Sequence, residues 1–195
     1  MEDILINYFS KLTSLSNDEV KTLTDTMTIK QFKKDSYLIK EGQTNRDTFF
    51  ILKGLVRQFK YIDGNEITSN FYSEEQWIIS LTSFTEPSPS THNLICVEDT
   101  TVVIGNEQKA QELFKQYPRF ETISRVVMET VFGEIQKTMS DYFTDSPEQR
   151  YTRLLKTKPD LFQRVPQYHL ASYIGVKPES LSRIRKRLAE KEIRK

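Results

Sequence analysis

Residues 166–188 read PQYHLASYIGVKPESLSRIRKRL. Leu170, Ala171 and Ile174 share one face of a first helix. Ala171 is small enough to let a second helix approach closely. Gly175, four residues later, supplies the turn, and Val176 packs beneath it. The second helix starts at Pro178, a favoured first-turn residue, with Glu179 beside the positive end of the helix dipole. Its inward residues, Leu181, Ile184 and Leu188, are spaced by three and four. A small residue, a glycine four later, and apolar residues six and nine after the glycine make the register of a DNA-binding helix-turn-helix.

The opposite face of the second helix carries Pro178, Glu179, Ser182, Arg183 and Lys186, flanked by Ser180, Arg185 and Arg187. N-terminal residues of a recognition helix reach base edges, which assigns base contacts to Pro178, Glu179, Ser182 and Arg183. Arg183 has the donors for guanine O6 and N7, and Glu179 the acceptor for cytosine N4. Lys177, Ser180, Arg185, Lys186 and Arg187 are placed for phosphates.

Charge supports this division. The 195 residues carry 28 Lys+Arg against 27 Asp+Glu, a net +1. Residues 150–195 hold 13 basic and 4 acidic side chains (+9), and residues 1–149 hold 15 and 23 (−8). Such asymmetry points to an anionic partner for one end. One cysteine, Cys96, excludes an internal disulfide or a four-cysteine metal site. The N-terminus has acids where a signal peptide needs cations, and no stretch approaches 18 uninterrupted apolar residues. The expectation is a soluble cytoplasmic protein with no membrane partner. No HExxH, P-loop or GxSxG motif is present, and His92 and His169 are the only histidines. No enzyme, metal or cofactor is expected.

Upstream, Ser146, Pro147 and Gln149 form a helix start after a break at Thr144-Asp145. A long helix precedes it, from Arg119 to about Phe143, reaching ~35 Å. Its stripe of Ile123, Val127, Val131, Ile135 and Met139 reads either as a core face or as a dimer seam. Glu107–Gln116 is a short helix, and Ser16 with Glu19 caps another near the N-terminus. Between Ile29 and Asn106 the pattern is of short strands, with turns at Glu41-Gly42, Lys53-Gly54 and Asp63-Gly64-Asn65. The class is α+β: an all-β sandwich, barrel or roll followed by helices.

LASYIGVKPESLSRIRK, together with Leu38–Gly42, Phe50–Gly54 and Asp63–Glu66, resembles the Crp/Fnr family of transcription regulators, in wording a Bacteroidetes-type subgroup. The resemblance implies an antiparallel β-roll of cyclic-nucleotide-binding type over 1–118, a dimerisation helix over 119–143 and a helix-turn-helix domain over 144–195. It also implies a homodimer on double-stranded DNA, RNA polymerase as a further partner, an effector or none, and a hinge near Thr144–Ser146. Glu179 and Arg183 fall on the family's base-reading positions, and Ser180 and Lys186 near phosphate. Two departures stand out. Where cyclic-AMP-binding members place a Glu and an Arg, this chain has Ser80 and Thr91, with His92 adjacent. A buried phosphate without a charged partner is unfavourable, so cyclic AMP is not expected to bind. Only Ala189–Lys195 follow the recognition helix core, too few for a full C-terminal wing hairpin. The competing reading is a β-roll sensor that works through protein contacts and keeps a vestigial DNA module.

Overall fold

The computed structural model describes residues 3–79 and 88–193. It opens with helices α1 (Asp3–Leu12) and α2 (Asn17–Thr26). Strands follow: β1 (Thr28–Phe32), β2 (Tyr37–Ile39), β3 (Asp47–Lys53), β4 (Val56–Ile62), β5 (Asn65–Tyr72), β6 (Trp77–Ile78), β7 (Asn93–Cys96) and β8 (Thr100–Asn106). The rest is helical: α3 (Glu107–Gln116), α4 (Arg119–Thr144), α5 (Pro147–Thr157), α6 (Leu161–Arg164), α7 (Gln167–Ile174) and α8 (Pro178–Ile193). The architecture is mixed α+β with antiparallel sheets.

Local chemistry sets many of the boundaries. The Ser16 hydroxyl accepts the Glu19 N–H at 3.3 Å, and the Glu19 carboxylate accepts the Ser16 N–H at 2.7 Å. Ser146 and Gln149 repeat that reciprocal cap at the start of α5. Between β4 and β5 only Asp63 and Gly64 intervene, both left-handed at φ 50° and 77°. Two left-handed central residues make the turn whose twist matches the flanking strands.

The strands form two four-stranded sheets, ordered β1-β8-β3-β6 and β2-β7-β4-β5. The apolar run Phe49-Phe50-Ile51-Leu52 in β3 shows how they are covered. Side chains alternate faces along a strand. Phe49 and Ile51 therefore join Ile39, Val56, Leu94, Cys96 and Val102 in one core. Phe50 and Leu52 join Leu5, Phe9, Leu23, Phe120, Ile123 and Val127 in a second core, which is roofed by helices. A strand buried on both faces reads as a continuous apolar run. The second core requires α1, whose Leu5 and Phe9 sit one helical turn apart.

Gly54 closes the turn after β3 at φ +107°, where a side chain is strained. A Cβ there would also lie 2.7 Å from the Thr100 Cα and 2.9 Å from the Asp99 carbonyl. Backbone approaches backbone too closely for any other residue.

The chain divides into two compact units, Met1–Gln58 with Phe71–Ile135, and Phe59–Asn70 with Gln136–Lys195. This division differs from the one expected at residues 118 and 144. The first part of α4 supplies Phe120, Ile123 and Val127 to the helix-roofed core. The end of α4 and the tip of the β4–β5 hairpin belong to the second unit, for reasons visible in its hydrogen bonds.

Candidate nucleic-acid interface

The second unit is built around the α7–α8 pair. Gly175 ends α7 at φ +79°, and its N–H donates to the Ala171 and Ser172 carbonyls. The Val176 N–H donates to the Ala171 carbonyl at 2.9 Å, which completes the helix end. Leu170, Ala171, Ile174, Leu181 and Ile184 are buried, together with Tyr151, Leu154, Leu161 and Val165. Burial of Leu181 and Ile184 fixes the rotation of α8 about its axis. Pro178, Glu179, Ser182 and Arg183 consequently face solvent as one row, with Lys177, Arg185, Lys186 and Arg187 exposed around it and Ser180 half-buried. α8 runs on to Ile193.

The polar groups on this surface are partly preorganised. The Ser182 hydroxyl donates to the Pro178 carbonyl at 3.2 Å, and Arg183 Nη2 donates to the Ser180 Oγ at 3.2 Å. Arg187 lies 3.3 Å and Lys191 2.9 Å from the Glu148 carboxylate on α5. The Lys191 hydrogen bond, helped by the charges of Lys191 and Arg187, holds the Glu148 carboxyl below its ordinary range. This ion pair is solvent-exposed and contributes little to stability.

The Thr144–Ser146 step, expected as a hinge, is held in place by two arginines. Arg150 Nε donates to the Ile174 carbonyl at 2.8 Å, and its Nη1 donates to the Tyr142 and Asp145 carbonyls at 3.0 and 2.7 Å. Its guanidinium also sits 4.5 Å from the centre of the Tyr142 ring. Arg153 pairs with Asp141 at 2.9 Å and with Asp145 at 2.7 Å. The last turns of α4 are thereby joined to α5 and to the end of α7. Sequence reasoning missed Arg150 because its partners lie 5, 8 and 24 residues away. No local motif marks such a residue.

Ser172 was also missed. Its Oγ accepts the Thr68 N–H at 2.9 Å and donates to the Glu66 carbonyl at 3.3 Å. This hydroxyl ties α7 to β5 and places the hairpin tip in the second unit.

Of the expected ligand cassette, Ser80 lies outside the described residues. Thr91 is exposed, and His92 is half-buried. Desolvation holds the His92 ring below its ordinary value, against a weaker pull from Glu41. At neutral pH His92 therefore offers no positive charge at this position. Cys96 is fully buried, and that burial pushes its thiol up. Among the described residues no group of three or more His, Cys, Asp or Glu side chains is arranged to hold a metal ion. Among the same residues no helix is long and apolar enough to cross a membrane.

The stripe along α4 changes role part-way. Ile123 and Val127 are buried in the chain's own core, with Val131 packed against it. They fit the core-face reading and are not available as an open seam. Ile135 and Met139 are exposed, as are Phe132 and Phe143.

Residues 29–117 match the cyclic nucleotide-binding domain family. No curated protein sequence matches the chain. Among solved structures, FixK2 from Bradyrhizobium japonicum is similar, with TM-score 0.68 and 17% identity over 86% of this chain and 87% of that one. The c-di-GMP-responsive global regulator CLP of Xanthomonas campestris gives TM-score 0.67 and 15% identity, over 89% and 91% of the two chains. The catabolite activator protein of Thermus thermophilus gives TM-score 0.57 and 16% identity, over 95% and 88%. At these identities the likeness concerns the fold. It extends beyond the nucleotide-binding domain match into the helical C-terminal region.

Proposed function

We propose that this chain is a sequence-specific, DNA-binding transcription regulator of the Crp/Fnr type that acts as a homodimer and does not respond to cyclic AMP. The observation that carries the reading is the exposed row Pro178, Glu179, Ser182 and Arg183, set by the buried Leu181 and Ile184 beneath it. That row is stereochemically suited to enter a major groove, with Arg183 toward guanine and Glu179 toward cytosine. Lys177, Arg185, Lys186 and Arg187 surround it with phosphate ligands. Paired chains would meet through the exposed part of the α4 stripe, Ile135 and Met139, and read half-sites roughly 34 Å apart. RNA polymerase is the downstream partner in this reading.

The cyclic-AMP part rests on Thr91 and on the neutral His92. Neither can offset a cyclic phosphate. Titration calorimetry with cyclic AMP should register no heat of binding, and micromolar affinity overturns this part.

Selection of bound sequences from a random duplex pool tests the main reading. Arg183→Ala should then lower affinity for the selected site by about 1–3 kcal/mol and relax preference at one base pair. Equal loss on selected and random DNA would make Arg183 a phosphate contact. Failure of the unmodified chain to enrich any sequence or to bind DNA in a salt-dependent way refutes the function.

A further inference from the structure

Among the described residues β5 is the last strand in the order of its sheet, and one of its edges faces α7. Along that edge, the Thr68 N–H donates to Ser172 Oγ and the Glu66 carbonyl accepts from it. One hydroxyl on α7 therefore fills two adjacent sheet positions. Thr68 is 3% exposed, so water has little access to compete for its group.

This link places the hairpin along the face of α7 that carries Tyr168 and Ser172, reaching the turn into α8. Asp63 and Glu66 from the tip line a cleft of about 630 Å³ with Tyr168, the second residue of α7, and Lys177 and Pro178 at the start of α8. In helix-turn-helix docking the second helix inserts its N-terminal residues into the groove while the first crosses the backbone, so the start of α8 beside this cleft is a DNA-facing position. A helix N-terminus there attracts phosphate. Asp63 and Glu66 bring two carboxylates there against the one ammonium of Lys177, which lowers the attraction for phosphate. Glu66 also accepts the Tyr61 hydroxyl at 3.2 Å, which favours a placed carboxylate over a freely moving one.

We infer that the Asp63–Glu66 hairpin tip is a partial autoinhibitory stop, latched to α7 by Ser172, and that the helix pair binds DNA more tightly once this latch opens. The inference rests on the DNA-binding reading above. The acidic content of the tip sets it apart from a surrogate wing, which would present cations to the phosphate backbone. β4 and β5 run without a break from the tip into the β2-β7-β4-β5 sheet. A change in that sheet therefore has a covalent route to the latch.

Two variants of the full chain test it. Ser172→Ala removes the latch and leaves every proposed DNA contact in place. Asp63→Asn with Glu66→Gln keeps the backbone latch and removes the charge. Hydrogen exchange of the Thr68 amide in the free protein should accelerate about three- to tenfold in Ser172→Ala, the weight of one net hydrogen bond. Unchanged exchange overturns the latch without involving DNA. Affinity for the selected duplex should rise about three- to tenfold in Ser172→Ala, since the competent fraction rises by the same factor. The neutralised tip should also bind more tightly, with the gain shrinking as salt is raised. If the unmodified chain binds DNA and both variants match it, the stop is refuted while the function stands. Weaker binding by the neutralised tip would make the tip a DNA contact and likewise refute the stop. If neither the unmodified chain nor the variants bind DNA although Thr68 exchange responds, the function fails and the stop fails with it.

Discussion

Arg150→Ala should unfold the second unit at markedly lower denaturant than the unmodified chain. Arg150 satisfies three carbonyls at once, those of Tyr142, Asp145 and Ile174, and stacks on the Tyr142 ring. A hydrogen bond from a charged donor contributes about 1.5–3 kcal/mol net when its partner would otherwise be left unpaired. The Tyr142 carbonyl is reached from an exposed position, so water replaces much of that bond. The Asp145 and Ile174 bonds are part-buried and count more heavily. With the ring contact adding ~0.5 kcal/mol, the expected loss is about 2–4 kcal/mol. Urea unfolding followed through C-terminal amide signals measures it. Arg150→Lys should recover little, because one ammonium cannot span three carbonyls held by a planar fork. A loss below ~0.5 kcal/mol in Arg150→Ala, or full recovery by Lys, would refute the clamp and restore a free hinge at 144–146.

Other outcomes follow from the same structure. Gly54→Ala should cost about 3 kcal/mol, since it combines φ +107° with overlap on the Thr100 backbone, and a melting curve reads the loss directly. Ile135→Glu with Met139→Glu should give monomer mass by light scattering, whereas an unchanged dimer would move the seam off the exposed part of α4. The His92 ring should titrate below an ordinary histidine when followed by NMR. Because its folded value is depressed, the unfolded chain takes up that proton first. Its contribution is therefore present at neutral pH and lost as pH falls through the usual histidine range. Stability that instead rose on mild acidification of the unmodified chain, but not of His92→Gln, would contradict the sign.

The helix pair at 167–193 was legible because its signals are local: Ala171, Gly175, Leu181 and Ile184 interact within a single turn or across one. The caps at Ser16 and Ser146 and the Asp63-Gly64 turn were legible for the same reason. The α4 stripe left two roles open because periodicity says that a face is apolar and not what covers it. Ile123 and Val127 are covered by α1, α2 and β3, an arrangement that no spacing within α4 encodes.

The sequence by itself determined the register of the α7–α8 helix pair, the basic C-terminal segment, the strand-rich N-terminal region and the absence of an arginine at Thr91. Each is either a matter of composition or depends on residues within about two turns or one strand, where backbone geometry restricts the choices. The tertiary structure decided which half of α4 lies in the core, that Arg150 and Arg153 fasten the step expected to flex, and that Ser172 holds the β5 edge. Those interactions join residues from 5 to more than 100 positions apart. Their geometry is set by packing of whole elements, and a hydroxyl or guanidinium in a linear sequence carries no mark of which distant carbonyl it will meet.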